Sequence, residues 1–475
     1  MNGVLGQVEP SPLSQKVGML MDRKNRKELI LNGDMYKVII TLSIPIMVNN
    51  FIQTLYNLAD AMWVSKLGSV QFAATSFVWP ILFLFISLGI GISVAGTSIL
   101  AQLIGASEYE KANEYAAQLM AISMIFSLVF ATIGYFLSPY IVGWMGGTGD
   151  LAEYSNIYLK ISFLGFPFIF LFFNFNSIMN AQGNTLAPTV LSGISAIVNV
   201  VLDPIFIFTL DMGVAGAAIA TVISQGLLVF VGIFILKYRS PMIKLNFKNF
   251  KFNREMLKKI VDVGLPATIG QSGSALGFTV LNSFIASYGT STLAAFAMVN
   301  RVTSLIMQPP MGIGAALTSI VGQSIGANQF DRVMEAFKKS TYIVLTIGVL
   351  GMGFLLWQDE AIIDFFIRNK DDMEVVKQGI SYLRYISFSM PLMGMFSIFQ
   401  GLFQGSGHTK YSMAMAVGRL WFIRIPMILV FKHFTNYGST GIWFSMSFSN
   451  LLICIYGYAV YKSNKWQKGV VAIES

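Results

Sequence analysis

Twelve apolar stretches, separated by short polar joins, run along the chain. Crossing hydrocarbon as a helix takes about 20 largely apolar residues. Stretches of that order fall at 38–64, 72–104, 116–142, 158–179, 187–209 and 214–236 in the first half. In the second half they fall at 260–288, 293–325, 340–357, 380–403, 411–431 and 442–461. Those near 30 residues must tilt or protrude. A backbone inside a bilayer has to satisfy its own polar groups, so the pattern predicts an all-α membrane protein of twelve transmembrane helices.

Composition removes the main competitor. Of 475 residues, 55% are hydrophobic and only 12% are Asp, Glu, Lys or Arg, with a mean hydropathy of +0.64. Soluble domains carry about 25% charged residues, so a large soluble enzyme is excluded. A single cysteine, Cys454, excludes a disulfide framework and CxxC redox chemistry, and two histidines, His408 and His433, exclude a His-rich metal centre.

The net charge of +9 comes from clusters. Eight of the 32 basic residues lie within 237–259 and five more within 16–27. Basic residues crowded onto segments flanking membrane helices mark the cytoplasmic face rather than a nucleic-acid site. The joins after the third, fifth and seventh stretches carry no Lys or Arg. The join after the ninth is mixed, with Arg368, Lys370 and Lys377 among Asp364, Asp371, Asp372 and Glu374. Both termini are therefore expected in the cytoplasm. The polar first 35 residues predict no cleavable signal peptide, leaving the first span to direct insertion.

An internal repeat organises the spans. At an offset of 221, Pro45 meets Pro266, Gly68 meets Gly289, Gly91 meets Gly312, and Gln102-Leu-Ile-Gly-Ala meets Gln323-Ser-Ile-Gly-Ala. With a small gap, Gly183 meets Gly407, Thr185 meets Thr409, Pro204 meets Pro426 and Gly216 meets Gly441. Each half holds an even number of spans, so the halves are expected to be parallel lobes about an axis along the membrane normal, with a cavity between them. The expected organisation is a tail (1–35), an N-lobe (36–236), a basic linker (237–259), a C-lobe (260–462) and a tail (463–475).

The carboxylates break this repeat. Only Asp60 and Asp203 lie well inside apolar stretches, and their counterparts at the repeat offset are Leu281 and Ile425. An ionisable group at such a depth is costly and marks an ion or substrate pathway. Asn49, Gln53, Tyr56 and Asp60 share one helical face, as do Ser195, Asn199 and Asp203; Asn176 and Thr221 add polar groups on the fourth and sixth spans. Carboxylate, amide and hydroxyl oxygens suit a hard cation such as Na⁺. Two carboxylates brought together away from water also favour holding a proton. The bland readings are a turn at Asp203-Pro204 and an interfacial Asp60 near Lys66; the paired polar seams in one half outweigh them.

The run Asn199-Val-Val-Leu-Asp203-Pro204, followed by Gly213-Val-Ala-Gly-Ala-Ala-Ile-Ala-Thr221, resembles the multidrug and toxic compound extrusion (MATE) transporters. So do Asp60 ahead of Lys66-Leu-Gly68 and the repeated Gln102-Leu-Ile-Gly-Ala motif. The resemblance covers nearly all of the chain after residue 35 and is closer to the DinF-like and archaeal-type members than to NorM-type ones. It implies a multi-pass transporter of a bacterial or archaeal plasma membrane, expelling organic, mostly cationic amphiphiles by antiport with Na⁺ or H⁺, acting as a monomer without an enzymatic cofactor. Carried over by residue, Asp60, Asn199, Asp203 and Thr221 form the coupling-ion site, and Gln53, Tyr56, Tyr158 and Asn176 line the nearby cavity. NorM-type members also use C-lobe carboxylates on the seventh and tenth spans. Here Gln271 and Ser274 stand in the seventh, and 380–403 holds no acidic residue.

Two other function classes remain open at this stage. A lipid-linked oligosaccharide flippase would use cationic residues to hold pyrophosphate, for which Arg301, Arg384, Arg419 and Arg424 are candidates. A membrane enzyme would use Asp60 and Asp203 as acid and base, but no activated nucleophile, metal cluster or phosphate loop accompanies them.

Overall fold

The computed structural model describes residues 23–470 apart from 241, 246, 249 and 367–372. The polar tail up to residue 22, residues 471–475, and Arg368, Lys370, Asp371 and Asp372 of the mixed join lie outside the described residues.

The described secondary structure is helical. A short helix, α1 (Arg23–Asn32), leads into α2 (Met35–Ser65), α3 (Ser69–Gly105), α4 (Tyr109–Trp144) and α5 (Gly149–Ala181). Next come α6 (Leu186–Pro204), prolonged by a π-helical turn at Ile205–Thr209, and α7 (Gly213–Tyr238). The second lobe holds α8 (Arg254–Ala286), α9 (Thr290–Gly326), α10 (Phe330–Trp357), the short α11 (Asp359–Phe366), α12 (Met373–Ser387) and α13 (Met390–Gly405). It ends with α14 (Thr409–Val417), a π-helical turn at Gly418–Arg424, α15 (Ile425–Phe434) and α16 (Ser439–Lys462).

Among the described residues, ten helical units are long and apolar enough to cross a bilayer, and the pair α12–α13, bent by 49°, makes an eleventh. The twelfth is α8, whose 33 residues are long enough but which carries Gln271, Ser272 and Ser274 along its middle after charged first turns. The stretch at 380–403 is therefore not one straight helix. Pro391, in the first turn of α13, has no N–H to return to the preceding turn, so α12 stops and α13 restarts at a new angle. Proline acts similarly at the fifth and eleventh spans, where Pro204 and Pro426 each adjoin a π-helical turn.

Packing follows the repeat. The helices α2–α7 form one lobe and α8–α16 the other, and the lobes meet where α2 packs on α9, α3 on α8, and α3 on α9. The contacts are reciprocal. Gly105 lies against the carbonyl of Gln323, and Gly326 lies against the carbonyl of Gln102; a Cβ at either glycine would overlap the opposite backbone. Gly91 abuts Thr268 as Gly312 abuts Met47. The Gln102 amide donates to the Gly405 carbonyl (3.1 Å), and the Gln323 amide donates to the Ala181 carbonyl (2.7 Å). These pairs exchange under the repeat, which identifies an approximate two-fold axis running between α3 and α9.

Bonds between the lobes concentrate at the end that also carries the basic linker. Ser98 donates to the Gly405 carbonyl, and the N–H of Val470, just after the second lobe, donates to Gln102. Ser87 and Ser272, 2.5 Å apart near mid-height, are the hydroxyl pair farthest from that end. Beyond them, among the described residues, no hydrogen bond joins the lobes. The linker itself is strapped down: Gln182 accepts from Ser240 and from the Met242 N–H, and Gln118 donates to the Lys251 carbonyl.

The outer surface is apolar. On α2, Tyr36, Ile40, Ile44, Val48, Phe51, Leu55, Leu58 and Met62 are exposed at helical spacing, a stripe that faces lipid. The face carrying Asn49, Tyr56 and Asp60 is turned elsewhere.

The reciprocal glycine contacts generate a test. Gly105→Ala and Gly326→Ala should each destabilise the protein by about 1–3 kcal/mol through overpacking, read as a lowered melting midpoint in detergent. Gly143→Ala, where a Cβ meets nothing within 4 Å, should leave the midpoint unchanged or slightly raised. Equal effects at the three positions would contradict this packing.

Candidate functional site

Three helices bring the acidic pocket together in the first lobe. Asp60 sits near the C-terminal end of α2, Asp203 and Asn199 near that of α6, and Thr221 in the first half of α7. The four-residue spacing of Asn199 and Asp203 puts them on the buried face of α6, each 0% exposed. The Asn199 amide donates to Asp203 Oδ1 (3.2 Å) and lies 3.4 Å from the Thr221 hydroxyl. Tyr56, one turn before Asp60, donates its hydroxyl to Thr221 Oγ1 (3.2 Å). Asp60 and Asp203 lie within electrostatic reach of each other, and both lie within reach of Tyr158 on α5. Trp63, Leu67 and Tyr158 pack around Val64, Ile207 and Ala217 to wall the pocket.

Both alternatives for the carboxylates meet geometric objections. Asp203 is not in a turn: the helix continues through Pro204 into the π-helical segment, and its side chain is enclosed. Lys66 does not neutralise Asp60, because its ammonium sits 4.2 Å above the Trp63 ring. Among the described residues neither aspartate makes an ion pair; ion pairs lie instead at Lys111–Glu108, Arg332–Glu335, Lys339–Asp34, Lys339–Glu335 and Arg384–Asp359. Three oxygens, Asp60 Oδ1, Asn199 Oδ1 and Asp203 Oδ2, are enclosed without a hydrogen-bond partner. Buried acceptors of this kind are expensive unless something donates to them or coordinates them.

The cavity residues divide. Tyr56 and Tyr158 stand against the acidic pocket. Gln53 is exposed on α2, and Asn176 is half-buried on α5. Asn176 lies 18 residues beyond Tyr158, about 27 Å along the helix axis, so these two positions bracket the lobe from its acidic pocket to its basic end.

The second lobe contains a separate cavity of about 440 Å³, between α8, α9, α13 and the segment 412–419. Gln271 and Ser274 line it, together with Gln400, Gln404, Ser412 and Arg419. Gln404 donates to Gln400 (3.2 Å) and lies 3.2 Å from the Ser412 hydroxyl, which also contacts Gln400. Reading the sequence missed Gln400, Gln404 and Ser412. Their signal was a glutamine pair four residues apart on an otherwise apolar helix. Of the four candidate arginines, Arg301 is exposed and Arg384 is bound by Asp359 at 2.6 Å, whereas Arg419 and Arg424 are buried.

Comparison with known proteins bears on the family and the fold. The MatE family model matches twice, over residues 45–205 and 266–430, once per lobe. The chain is 26% identical over 434 residues to the probable multidrug resistance protein YoeA of Bacillus subtilis, covering 89% of this chain and 93% of that one. It is 25% identical over 423 residues to the multidrug export protein MepA of Staphylococcus aureus, covering 88% and 92%. Among solved structures, a MATE in complex with MaL6 superposes with a TM-score of 0.86 at 28% identity, covering 92% of this chain and 97% of that one. An outward-facing multidrug resistance MATE family transporter of the MOP superfamily superposes with a TM-score of 0.83 at 28% identity, with the same coverage. With both lobes matched and the twelve-span architecture shared, the chain belongs to the MatE family of membrane transporters.

Proposed function

We propose that the protein exports organic, mostly cationic amphiphilic compounds, driven by inward movement of Na⁺ or H⁺ through the Asp60–Asp203 pocket. The observation that carries the reading is the set of three enclosed, partnerless oxygens on Asp60, Asn199 and Asp203. Two carboxylates with no cationic side chain bound to them need a charge from outside the protein. Oxygen donors from carboxylate, amide and hydroxyl groups fit a hard monovalent cation, and a proton serves the same balance. The relatives named as multidrug resistance and export proteins support the export of drug-like compounds.

The cycle follows from charge and packing. On this reading the basic face is cytoplasmic, with both termini there. A cation enters the pocket and offsets the Asp60–Asp203 charge. The seams on α2 and α6 then rearrange, with Pro45 and Pro204 as the flexible points of the two helices. A bound compound leaves to the outside, and the α3–α9 contacts open as the lobes rock about the two-fold axis. The cation is released inward and a new compound is captured. This is alternating access by two parallel repeats.

A flippase reading has weaker support. A pyrophosphate calls for clustered free cations, whereas Arg384 is engaged by Asp359 and Arg424 is held by Ser449, Asn450 and the Met446 carbonyl, so Arg419 lines its cavity as a single charge rather than one of a cluster.

Two experiments test the exporter reading. In proteoliposomes, Asp60→Asn and Asp203→Asn should each reduce gradient-driven ethidium efflux by about tenfold or more, the scale of one lost coupling charge, while reconstitution stays at the wild-type level. Wild-type efflux by both variants would defeat the assignment. With Na⁺ and pH gradients imposed separately on the wild type, one of them should drive efflux and its collapse should stop it. Efflux that continues with neither gradient would show that the pocket does not couple transport.

A further inference from the structure

The cavity of the second lobe has the opposite electrostatic character to the pocket of the first. Its single charged lining residue is Arg419, which is 8% exposed. Among the described residues the guanidinium makes no ion pair and no hydrogen bond, and its Nε is enclosed without a partner. It lies 4.3 Å from the centre of the Phe396 ring, which shields one face and supplies no acceptor in the plane of the guanidinium. The Cys454 thiol nearby donates to the Leu392 carbonyl at 3.1 Å and offers no negative charge. Arg424, within electrostatic range, adds positive potential while spending its own donors on Ser449, Asn450 and the Met446 carbonyl.

Position in the repeat makes Arg419 more pointed. Between the Thr185–Thr409 pairing and the Pro204–Pro426 pairing, Arg419 falls opposite the 195–197 stretch of α6, which includes Ser195 of its polar seam. The seam that carries a carboxylate in one lobe thus carries a guanidinium in the other. Guanidinium presents a planar fork of donors matched to a carboxylate. The rest of the cavity is apolar and soft, with Met307, Met393 and Phe396, and amides from Gln271 and Gln404 at the polar side. A volume of about 440 Å³ is in the range that encloses a drug-sized molecule.

We propose that this cavity binds amphiphilic organic anions, with the carboxylate of the ligand on Arg419 and an aromatic body against Phe396 and the methionines. The proposal builds on the export reading by adding a second substrate class, so that cationic and anionic portions of a compound are received by different lobes. Gln404, Gln400 and Ser412 hold one another and shape the polar end of the cavity.

Calorimetric titration of the purified full-length protein in neutral detergent tests it, using 1-naphthaleneacetate and its uncharged isostere 1-naphthaleneacetamide. The wild type should bind the carboxylate at least tenfold more tightly than the amide. Arg419→Gln should abolish that preference while leaving amide binding within twofold, which also shows that the cavity is intact. Arg419→Lys should keep part of the preference. Asp60→Asn should retain it in full, so loss of coupled efflux in that variant and loss of anion binding are separate outcomes. Equal binding of the two probes by the wild type, or a preference that survives Arg419→Gln, would overturn the proposal. Displacement of the carboxylate by phosphatidylglycerol micelles at matched headgroup concentration would also overturn it, naming a lipid phosphate as the occupant.

Discussion

Unpaired charge inside an apolar bundle is the constraint on which the rest of this structure depends. A carboxylate removed from water costs several kcal/mol even after relaxation, and two close together repel as well. Asp60 and Asp203 are held in that condition with no lysine, arginine or histidine bound to them among the described residues. The chain does pair charges elsewhere, as Arg384 with Asp359 and Arg332 with Glu335 show. The absence of a protein counter-charge at Asp60 and Asp203 is therefore specific to the site, and a mobile cation is the natural way to relieve it. Arg419 poses the same problem with the sign reversed.

Around these sites the scaffold is symmetric where packing matters and asymmetric where charge matters. Gly105 and Gly326 let α3 and α9 approach until each backbone touches the other, and the Gln102 and Gln323 amides lock the same end with reciprocal bonds to carbonyls. Both interactions need identical residues in both halves, and both halves have them. Asp60 and Asp203 face Leu281 and Ile425 across the repeat, and the 195–197 stretch of α6 faces Arg419. In the proposed cycle, symmetric packing around unlike sites would let one rocking motion change the exposure of both lobes together.

Much of this was legible from residues alone. A carboxylate within a long apolar run stands out at any helical phase, and the spacing of Asn199 and Asp203 needed only the period of a helix to put them on one face. The reciprocal glycines were visible as a repeat before their contacts were known. Other features depend on tertiary structure. The 49° break between α12 and α13 left no trace in hydropathy, because Phe388, Met390 and Leu392 are as apolar as a straight helix would be. Arg384 and Arg419 look equivalent in sequence. Only the fold shows that Asp359, 25 residues away, reaches one of them while no acid reaches the other. Asn176 shares a helix with Tyr158, but its distance from the acidic pocket along that helix emerges only once the pocket is located at one end of the lobe.

The most direct test of the central claim is to count cations on the purified protein. Radiolabelled Na⁺ binding, measured together with proton release at fixed pH, should detect about one cation equivalent per chain in the wild type, as Na⁺ retained or as H⁺ exchanged. That equivalent should be missing when Asp60 and Asp203 are both changed to Asn. A wild type that takes up neither ion, or a double variant that takes up as much as the wild type, would contradict the account.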